Sequence, residues 1–81
     1  MRLVYSERFR HSYEHAPPEI RLAIERRLEL LIQNLRHASL RAKKYDEARG
    51  IWQARVNRDW RFYFLIEGDT HQLIDVIPHP R

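Results

Sequence analysis

The stretch from Ile51 to Phe64, IWQARVNRDWRFYF, limits the possible folds more than any other part of this chain. Side chains alternate across a β-strand, and this stretch contains two runs in which every second residue is apolar. Both apolar sets can reach one core only if even-numbered residues pair with even-numbered residues, which a three-residue loop at 57–59 allows. The predicted hairpin then has one buried face, made of Trp52, Ala54, Val56, Trp60, Phe62 and Phe64.

The opposite face of the same hairpin is polar and basic, with Gln53 and Arg55 on one strand and Arg61 and Tyr63 on the other. The predicted register makes Arg55 and Arg61 cross-strand neighbours. Two like charges directly opposite each other destabilise a hairpin, and burying them without partners would cost much more. Three interpretations stay open: a carboxylate lies between the arginines, the pair binds an anion, or both side chains are solvated.

The N-terminal half has the pattern of one short strand and two helices. Residues 3–5 suit a strand, and Ser6 follows as an N-cap for the first helix. Pro17 and Pro18 end that helix and open the second, because proline is tolerated in the first helical turn but not in the interior. The second helix has an apolar face at spacings of three and four, made of Ile20, Ala23, Ile24, Leu28, Leu31 and Leu35.

The C-terminal half is predicted to be mostly β-structure. Residues 40–50 are polar, mixed in charge and closed by Gly50, so we predict a helix end followed by a loop. Three strand-like runs follow, the last two joined by a turn that contains Gly68 and Asp69. The order is β-α-α-β-β-β. This order predicts an α+β fold in which two N-terminal helices pack on one face of a mostly antiparallel four-stranded sheet, as a single domain of residues 1–81.

The last strand contains Asp75, and His79 lies just past its end. A two-residue loop at Gly68 and Asp69 would put Asp75 on the core side, where it would need a partner. One extra loop residue, or a bulge, would turn Asp75 toward the arginines. The sequence pattern leaves both arrangements open.

Composition narrows the functional classes. The chain has no cysteine, which excludes disulfides and thiolate metal sites, and its net charge of +4 favours an anionic partner. No apolar run is long enough for a signal peptide or a membrane span, so we expect a cytoplasmic protein. Residues 11–15, HSYEH, match a zinc-peptidase pattern, but that helix is short and no third ligand follows. We therefore expect neither a metal nor a cofactor.

The order of elements and residues 51–79, IWQARVNRDWRFYFLIEGDTHQLIDVIPH, resemble the RelE/ParE superfamily, the toxins of type II toxin–antitoxin systems. The likeness covers nearly the whole chain and is sharpest at WQARVNRDWRFYF. It implies a cognate antitoxin as partner, which would cover the basic face. The RelE branch cuts mRNA in the ribosomal A site without a metal, and the ParE branch inhibits DNA gyrase. A third possibility is a weakly toxic or inactive binding module with the toxin fold.

The resemblance also implies roles for individual residues. Arg55 takes the place of a basic strand residue that binds RNA phosphate, Arg61 matches the arginine at the scissile phosphate, and His79 matches a C-terminal acid or base. These three are the predicted catalytic residues. The predicted substrate-binding residues are Lys43, Lys44, Gln53 and Tyr63, with Arg41 as a further phosphate-binding candidate.

Two features depart from the family pattern. Gln53 stands where some RelE-type enzymes have a lysine, and the sequence ends at Arg81 without the tail tyrosine that some relatives use. Both lead us to expect weaker nuclease activity.

The chemistry of RNA cleavage also suits these residue types. When the 2′-hydroxyl attacks the adjacent phosphate, a base must remove its proton and cations must neutralise the phosphate. Guanidinium groups match phosphate oxygens, and a placed histidine can transfer protons. The candidates for the general base are Asp46, Glu47, Asp75 and Tyr63.

Overall fold

A computed structural model describes residues 2–79, so Arg81, where the sequence ends, lies outside the described part. Residues 2–79 form two α-helices and a five-stranded sheet in the strand order β1-β5-β4-β3-β2. The strand β1 runs parallel to β5, and every other neighbouring pair is antiparallel. The elements are β1 Arg2–Tyr5, α1 Glu7–His15, α2 Pro18–Gln33, a 3₁₀ turn Ala38–Leu40, β2 Lys43–Asp46, β3 Ile51–Arg55, β4 Trp60–Glu67 and β5 Thr70–Pro78. The α+β class and the mostly antiparallel sheet are confirmed.

The prediction of a four-stranded sheet, with a helix end and loop at residues 40–50, was wrong. The segment Lys43–Asp46 forms an edge strand that pairs with β3, with a register shift between Lys44 and Asp46. An edge strand has a neighbour on one side only and tolerates polar, charged residues, so it lacks the apolar alternation of an inner strand. The polar composition that indicated a loop therefore belongs to the edge of the sheet.

The helix boundaries follow the local signals in the sequence. The Ser6 hydroxyl accepts a hydrogen bond from the Phe9 N–H at 3.0 Å, which confirms the N-cap of α1. Pro18 occupies the first turn of α2, as predicted. The helix α2 ends at Gln33, before the last apolar position of the predicted pattern, but Leu35 still packs half-buried against the core. None of the helices within residues 2–79 is long and apolar enough to span a membrane.

The core lies between the helices and one face of the sheet. Phe62 and Phe64 on β4 are fully buried there, in contact with each other at 5.7 Å between ring centroids. The other buried apolar residues include Phe9, Ile24, Leu31, Leu40, Ala54, Val56, Leu73 and Val76. The even-numbered residues of the 51–64 hairpin thus face the helices, which leaves its odd-numbered residues on the outer face.

The β4–β5 hairpin combines the two arrangements that the sequence left open for Asp75. Glu67 pairs with Thr70, so the loop has two residues, and Gly68 adopts a positive φ of 58°. The register then shifts by one residue at Ile74, so that Asp75 pairs with Tyr63. The carboxylate of Asp75 accepts a hydrogen bond from Ser12 on α1, so this residue has a helix partner and is not among the residues that line the pocket beside the two arginines.

Candidate functional site

The β3–β4 hairpin places two arginines side by side on the outer face of the sheet. Arg55 and Arg61 are direct cross-strand partners. The Val56 N–H donates to the Trp60 carbonyl at 3.0 Å, which closes a loop of residues 57–59. The predicted three-residue loop and the even-with-even register are therefore confirmed.

Arg61 is held in place by the loop beside it. Its Nη1 donates hydrogen bonds to the carbonyl oxygens of Asn57 at 2.7 Å, Trp60 at 3.0 Å and Arg58 at 3.3 Å. The Asn57 side chain orders the same loop, because its Oδ1 accepts from the N–H groups of Asp59 at 2.9 Å and Trp60 at 3.0 Å. One edge of the Arg61 guanidinium is thus fixed by the backbone before any ligand binds.

Arg55 carries a positive charge that the described residues leave uncompensated. Its side chain is half-buried and makes no hydrogen bond or ion pair within residues 2–79. The ion pair found between described residues joins Arg49 to Asp46 at 3.6 Å, on the β2–β3 turn. Of the three interpretations of the arginine pair, a carboxylate between them is not supported by the pocket lining, which contains no aspartate or glutamate of residues 2–79.

His79 directly follows β5, and the end of that strand brings it close to Arg55 and Arg61. Its backbone N–H donates to the Asp59 carbonyl at 2.6 Å, so the hairpin loop and the end of β5 are tied together. The residue is exposed. An exposed imidazole beside two guanidinium groups can exchange protons with solvent and with a bound phosphate ester.

These side chains line one open pocket of about 350 Å³. The pocket brings together all three predicted catalytic residues, separated by up to 24 positions between Arg55 and His79. Two predicted substrate-binding residues, Lys43 and Gln53, line it as direct pairing partners on β2 and β3. The full lining is Arg41, Lys43, Gln53, Ala54, Arg55, Arg61 and His79. Four of these residues carry a positive charge, Arg41, Lys43, Arg55 and Arg61, which suits a phosphate group.

Two other predicted substrate-binding residues lie outside the pocket lining. Lys44 pairs with Trp52, and its Nζ lies 5.4 Å from the centroid of the indole ring, on the opposite face of the sheet. Tyr63 shares the outer face but packs edge-on against Tyr45, with 4.9 Å between ring centroids. Neighbouring lysines on a strand point to opposite faces, and a loop prediction for residues 43–44 could not reveal that separation.

The candidates for a general base are also separated from the pocket. Asp46 pairs with Arg49, and Asp75 accepts a hydrogen bond from the Ser12 hydroxyl at 2.6 Å. Burial raises the pKa of Tyr63 above its usual value of 10.0, with the nearby Tyr45 as a second cause. A raised pKa keeps the phenol neutral at physiological pH, so Tyr63 is better suited to donate a hydrogen bond than to remove a proton.

The HSYEH segment does not form part of a larger ligand cluster within the described residues. His11 and His15 stack at 4.3 Å between ring centroids, and the His15 Nδ1 lies 2.8 Å from the His11 carbonyl oxygen. Within residues 2–79, no group of three or more histidine, cysteine, aspartate or glutamate side chains is arranged to hold a metal.

Sequence reasoning missed two arginines close to this site. Arg27 on α2 donates from Nε to the Val56 carbonyl oxygen at 2.8 Å, and Arg58 sits at the tip of the hairpin loop. Arg27 lies three positions after Ile24 and four before Leu31, so helical spacing puts it on the apolar face of α2, where an arginine needs an acceptor. The spacing does not identify the carbonyl of residue 56 as that acceptor. The position of Arg27 depends on how α2 packs across β3.

Solved structures with the same chain path provide the comparison. The YoeB/ParE toxin from Agrobacterium tumefaciens superposes with a TM-score of 0.80 at 16% identity, over 99% of this chain and 100% of that chain. The YoeB dimer from Staphylococcus aureus gives 0.82 at 13% identity, over 99% and 98%. A chain of the RelB–RelE antitoxin–toxin complex from Methanococcus jannaschii gives 0.77 at 21% identity, over 93% and 88%.

No protein-family model and no curated protein sequence matches the chain. At identities of 13–21% the structural likeness establishes the fold. The resemblance predicted from residues 51–79 is confirmed at that level: this chain has the fold of the RelE/ParE-type toxins.

Proposed function

We propose that this protein is the toxin of a type II toxin–antitoxin pair and that it cleaves mRNA on the ribosome without a metal. The observation that carries the proposal is the pocket in which Arg55, Arg61 and His79 meet beside Lys43 and Gln53. A structural arginine pair would normally be neutralised by a carboxylate, whereas no aspartate or glutamate is among the described residues that line this pocket. The site therefore has the charge that a phosphodiester would neutralise.

The reaction that fits this site is attack of the RNA 2′-oxygen on the adjacent phosphorus. A new P–O2′ bond forms, the P–O5′ bond breaks, and the products are a 2′,3′-cyclic phosphate and a 5′-hydroxyl. Arg61 and Arg55 would hold the non-bridging oxygens, on which charge accumulates in the transition state. Arg61 is suited to this task because its carbonyl contacts already orient the guanidinium.

The reaction needs two proton transfers, and the described pocket lining offers a side chain for only one of them. His79 would donate a proton to the leaving 5′-oxygen, as the only acid–base side chain other than lysine and arginine in the described pocket lining. No described carboxylate lines the pocket to accept the 2′-proton, so we assign its removal to groups that the ribosome brings to the bound mRNA. The proposal thus requires ribosome dependence: free RNA should be cut slowly or not at all.

A cognate antitoxin is part of the same proposal. Solved structures with this fold include the YoeB–YefM toxin–antitoxin complex from Staphylococcus aureus and the DinJ–YafQ complex from E. coli. An antitoxin segment with acidic side chains over Arg55 and Arg61 would relieve their repulsion and block the substrate. Production of the free protein in a cell would then be harmful, and co-production of the antitoxin would restore growth.

The test is induced expression in a bacterial host, with growth curves and primer extension on a translated mRNA. We expect growth arrest and new mRNA 5′-ends within the reading frame for the wild type. Arg61→Ala should lose at least about a hundredfold in cleavage, since it removes a placed donor to the transition state. Arg49→Ala, which removes the same charge on the distant β2–β3 turn, should behave as wild type.

The folded state of each variant is checked by thermal unfolding, because Arg61 also holds the 57–59 loop. Arg61→Lys keeps the charge but not the fork, and should restore part of the activity. Full toxicity of a folded Arg61→Ala protein would refute the catalytic assignment. Growth arrest with intact mRNA and inhibited gyrase supercoiling would instead identify a gyrase inhibitor, and unchanged growth would identify an inactive binding module.

A further inference from the structure

A second basic pocket adjoins the candidate active site. It is open, has a volume of about 400 Å³, and shares Arg41 and Arg55 with the first pocket. Its principal lining residues are Arg27, Ser39, Arg41, Arg55, Asn57 and Arg58. Four of these six are arginines, from α2, the segment after the 3₁₀ turn, the end of β3 and the hairpin loop.

The described lining of this second pocket contains positive charge and no carboxylate. None of the residues within 2–79 that line it is an aspartate or a glutamate. The Nε of Arg27 donates a hydrogen bond to the Val56 carbonyl oxygen, which fixes the guanidinium against the base of the hairpin. The two terminal nitrogens of this guanidinium can then donate to other acceptors. Four like charges in one lining repel one another, so an anion bound among them would stabilise the arrangement.

The backbone at Arg41 adds an independent observation. Arg41 has φ 47° and ψ 42°, the left-handed conformation, and is the only non-glycine residue within 2–79 with a positive φ. Such a conformation is strained for a residue with a Cβ, and glycine is the usual occupant. An arginine at this position has a side chain that contributes to both pockets, which a glycine could not do.

We propose that the two pockets bind consecutive phosphates of one RNA strand, with the scissile phosphate at Arg55 and Arg61 and the neighbouring phosphate at Arg27 and Arg58. Arg41 and Arg55 lie between the two phosphates. This inference rests on the proposed function and extends it, because it specifies how many consecutive phosphates of the RNA the protein binds. A dinucleotide fills only the first pocket, and longer RNA fills both.

Phosphate suits the second pocket better than a protein segment does. Guanidinium groups bind phosphate oxygens through paired hydrogen bonds, and four of them surround the space. Protein segments are usually anchored by aromatic or aliphatic side chains in an apolar pocket. The lining here has Ala38 as its single apolar residue.

Binding of fluorescent single-stranded RNA, measured by anisotropy over a range of salt concentrations, tests the proposal. The 2′-hydroxyls are replaced by 2′-O-methyl groups to prevent cleavage, and a dinucleotide is compared with a tetranucleotide. For the tetranucleotide, Arg58→Gln should weaken binding about tenfold and reduce the slope of log K against log salt by about 0.7. Dinucleotide binding should be unchanged. Arg49→Gln removes an equal charge far from the pocket and should match the wild type for both RNAs.

The outcomes separate this inference from the proposed function. If Arg58→Gln binds both RNAs as the wild type does, while Arg55→Gln weakens both, the second pocket is not a phosphate site and the active-site assignment stands. If neither RNA binds to the wild type and Arg61→Ala keeps full toxicity, both proposals are wrong. If Arg58→Gln leaves RNA binding intact but weakens binding of the antitoxin, the pocket belongs to a protein interface and our inference is overturned.

Discussion

His71 should make this protein sensitive to mild acid. The residue pairs with Ile66 on the core side of β5, has 0% of its surface exposed, and lies 5.5 Å from the Phe64 ring, centroid to centroid. Neither ring nitrogen has a hydrogen-bond partner. Burial therefore lowers the pKa of His71 below its ordinary value of 6.5.

The sign of the pH dependence follows from this lowered pKa. Below pH 6.5 the unfolded chain binds a proton at His71, whereas the folded protein does not until the pH reaches the lower, folded-state pKa. The free energy of unfolding is thus highest above pH 6.5 and falls as the pH drops toward that folded-state value. One proton changes it by at most about 1.4 kcal/mol per pH unit, so the loss between about pH 7.5 and pH 5.5 is at most about 1.4 kcal/mol.

A substitution isolates the contribution of the histidine. His71→Leu replaces the imidazole by an apolar side chain of similar size and removes two buried polar atoms that have no partner. Each such atom costs about 1–3 kcal/mol, so with two of them removed we expect the variant to be more stable than the wild type by at least about 2 kcal/mol at neutral pH. Its free energy of unfolding should change little over the same pH range, because carboxylates titrate mainly below it.

The assay is urea unfolding followed by tryptophan fluorescence at about pH 7.5, 6.5 and 5.5. His11→Gln, at an exposed position on α1, is the matched control and should keep the wild-type acid sensitivity. If His71→Leu loses stability toward pH 5.5 as steeply as the wild type, the buried histidine is not the source. A wild type whose stability is the same at all three pH values would refute the reasoning as a whole.

Three further substitutions test local parts of the structure. Asn57→Ala removes the acceptor of two loop N–H groups and should cost about 1–2 kcal/mol in urea unfolding, with a loss of toxicity if the loop orients Arg61; unchanged toxicity would show that the loop order is dispensable. Gln53 is only 7% exposed and lies directly opposite Lys43. Gln53→Lys should therefore lower stability by more than the roughly 0.2–1 kcal/mol of cross-strand repulsion, because the new charge is also desolvated, but it should strengthen RNA binding in the anisotropy assay. Ser6→Ala removes the N-cap of α1 and a 2.7 Å hydrogen bond to a β5 carbonyl, and should cost about 1–2 kcal/mol by thermal or urea unfolding.

Local rules of chain geometry account for what was predicted correctly. Alternation along a strand assigned Trp52, Ala54, Phe62 and Phe64 to the core, and the need to bury both sets selected the three-residue loop. The direct pairing of Arg55 with Arg61 followed from those two steps. The Ser6 cap and the start of α2 at the prolines are equally local, because capping and proline effects act within one helical turn.

Features that depend on distant neighbours required the structure. The strand Lys43–Asp46 exists because β3 offers it a pairing edge, and its register determines that Lys43 and not Lys44 reaches the pocket. The bulge at Ile74 and the approach of Arg27 to Val56 likewise depend on contacts between elements far apart in sequence.

The difference between the features that the sequence predicted and those that required the structure has a single physical origin. The sequence of residues 51–64 was sufficient to predict that an arginine pair would lie on the outer face, because side-chain direction within a hairpin depends on neighbours a few positions away. Whether that pair stands alone or forms a site depends on long-range packing. The tertiary structure adds His79 from the end of β5 and Arg41 from the segment before β2, and no described aspartate or glutamate is among the residues that line the pocket. Without that arrangement the arginines would be two solvated charges; with it they line a basic pocket, which we propose binds phosphate.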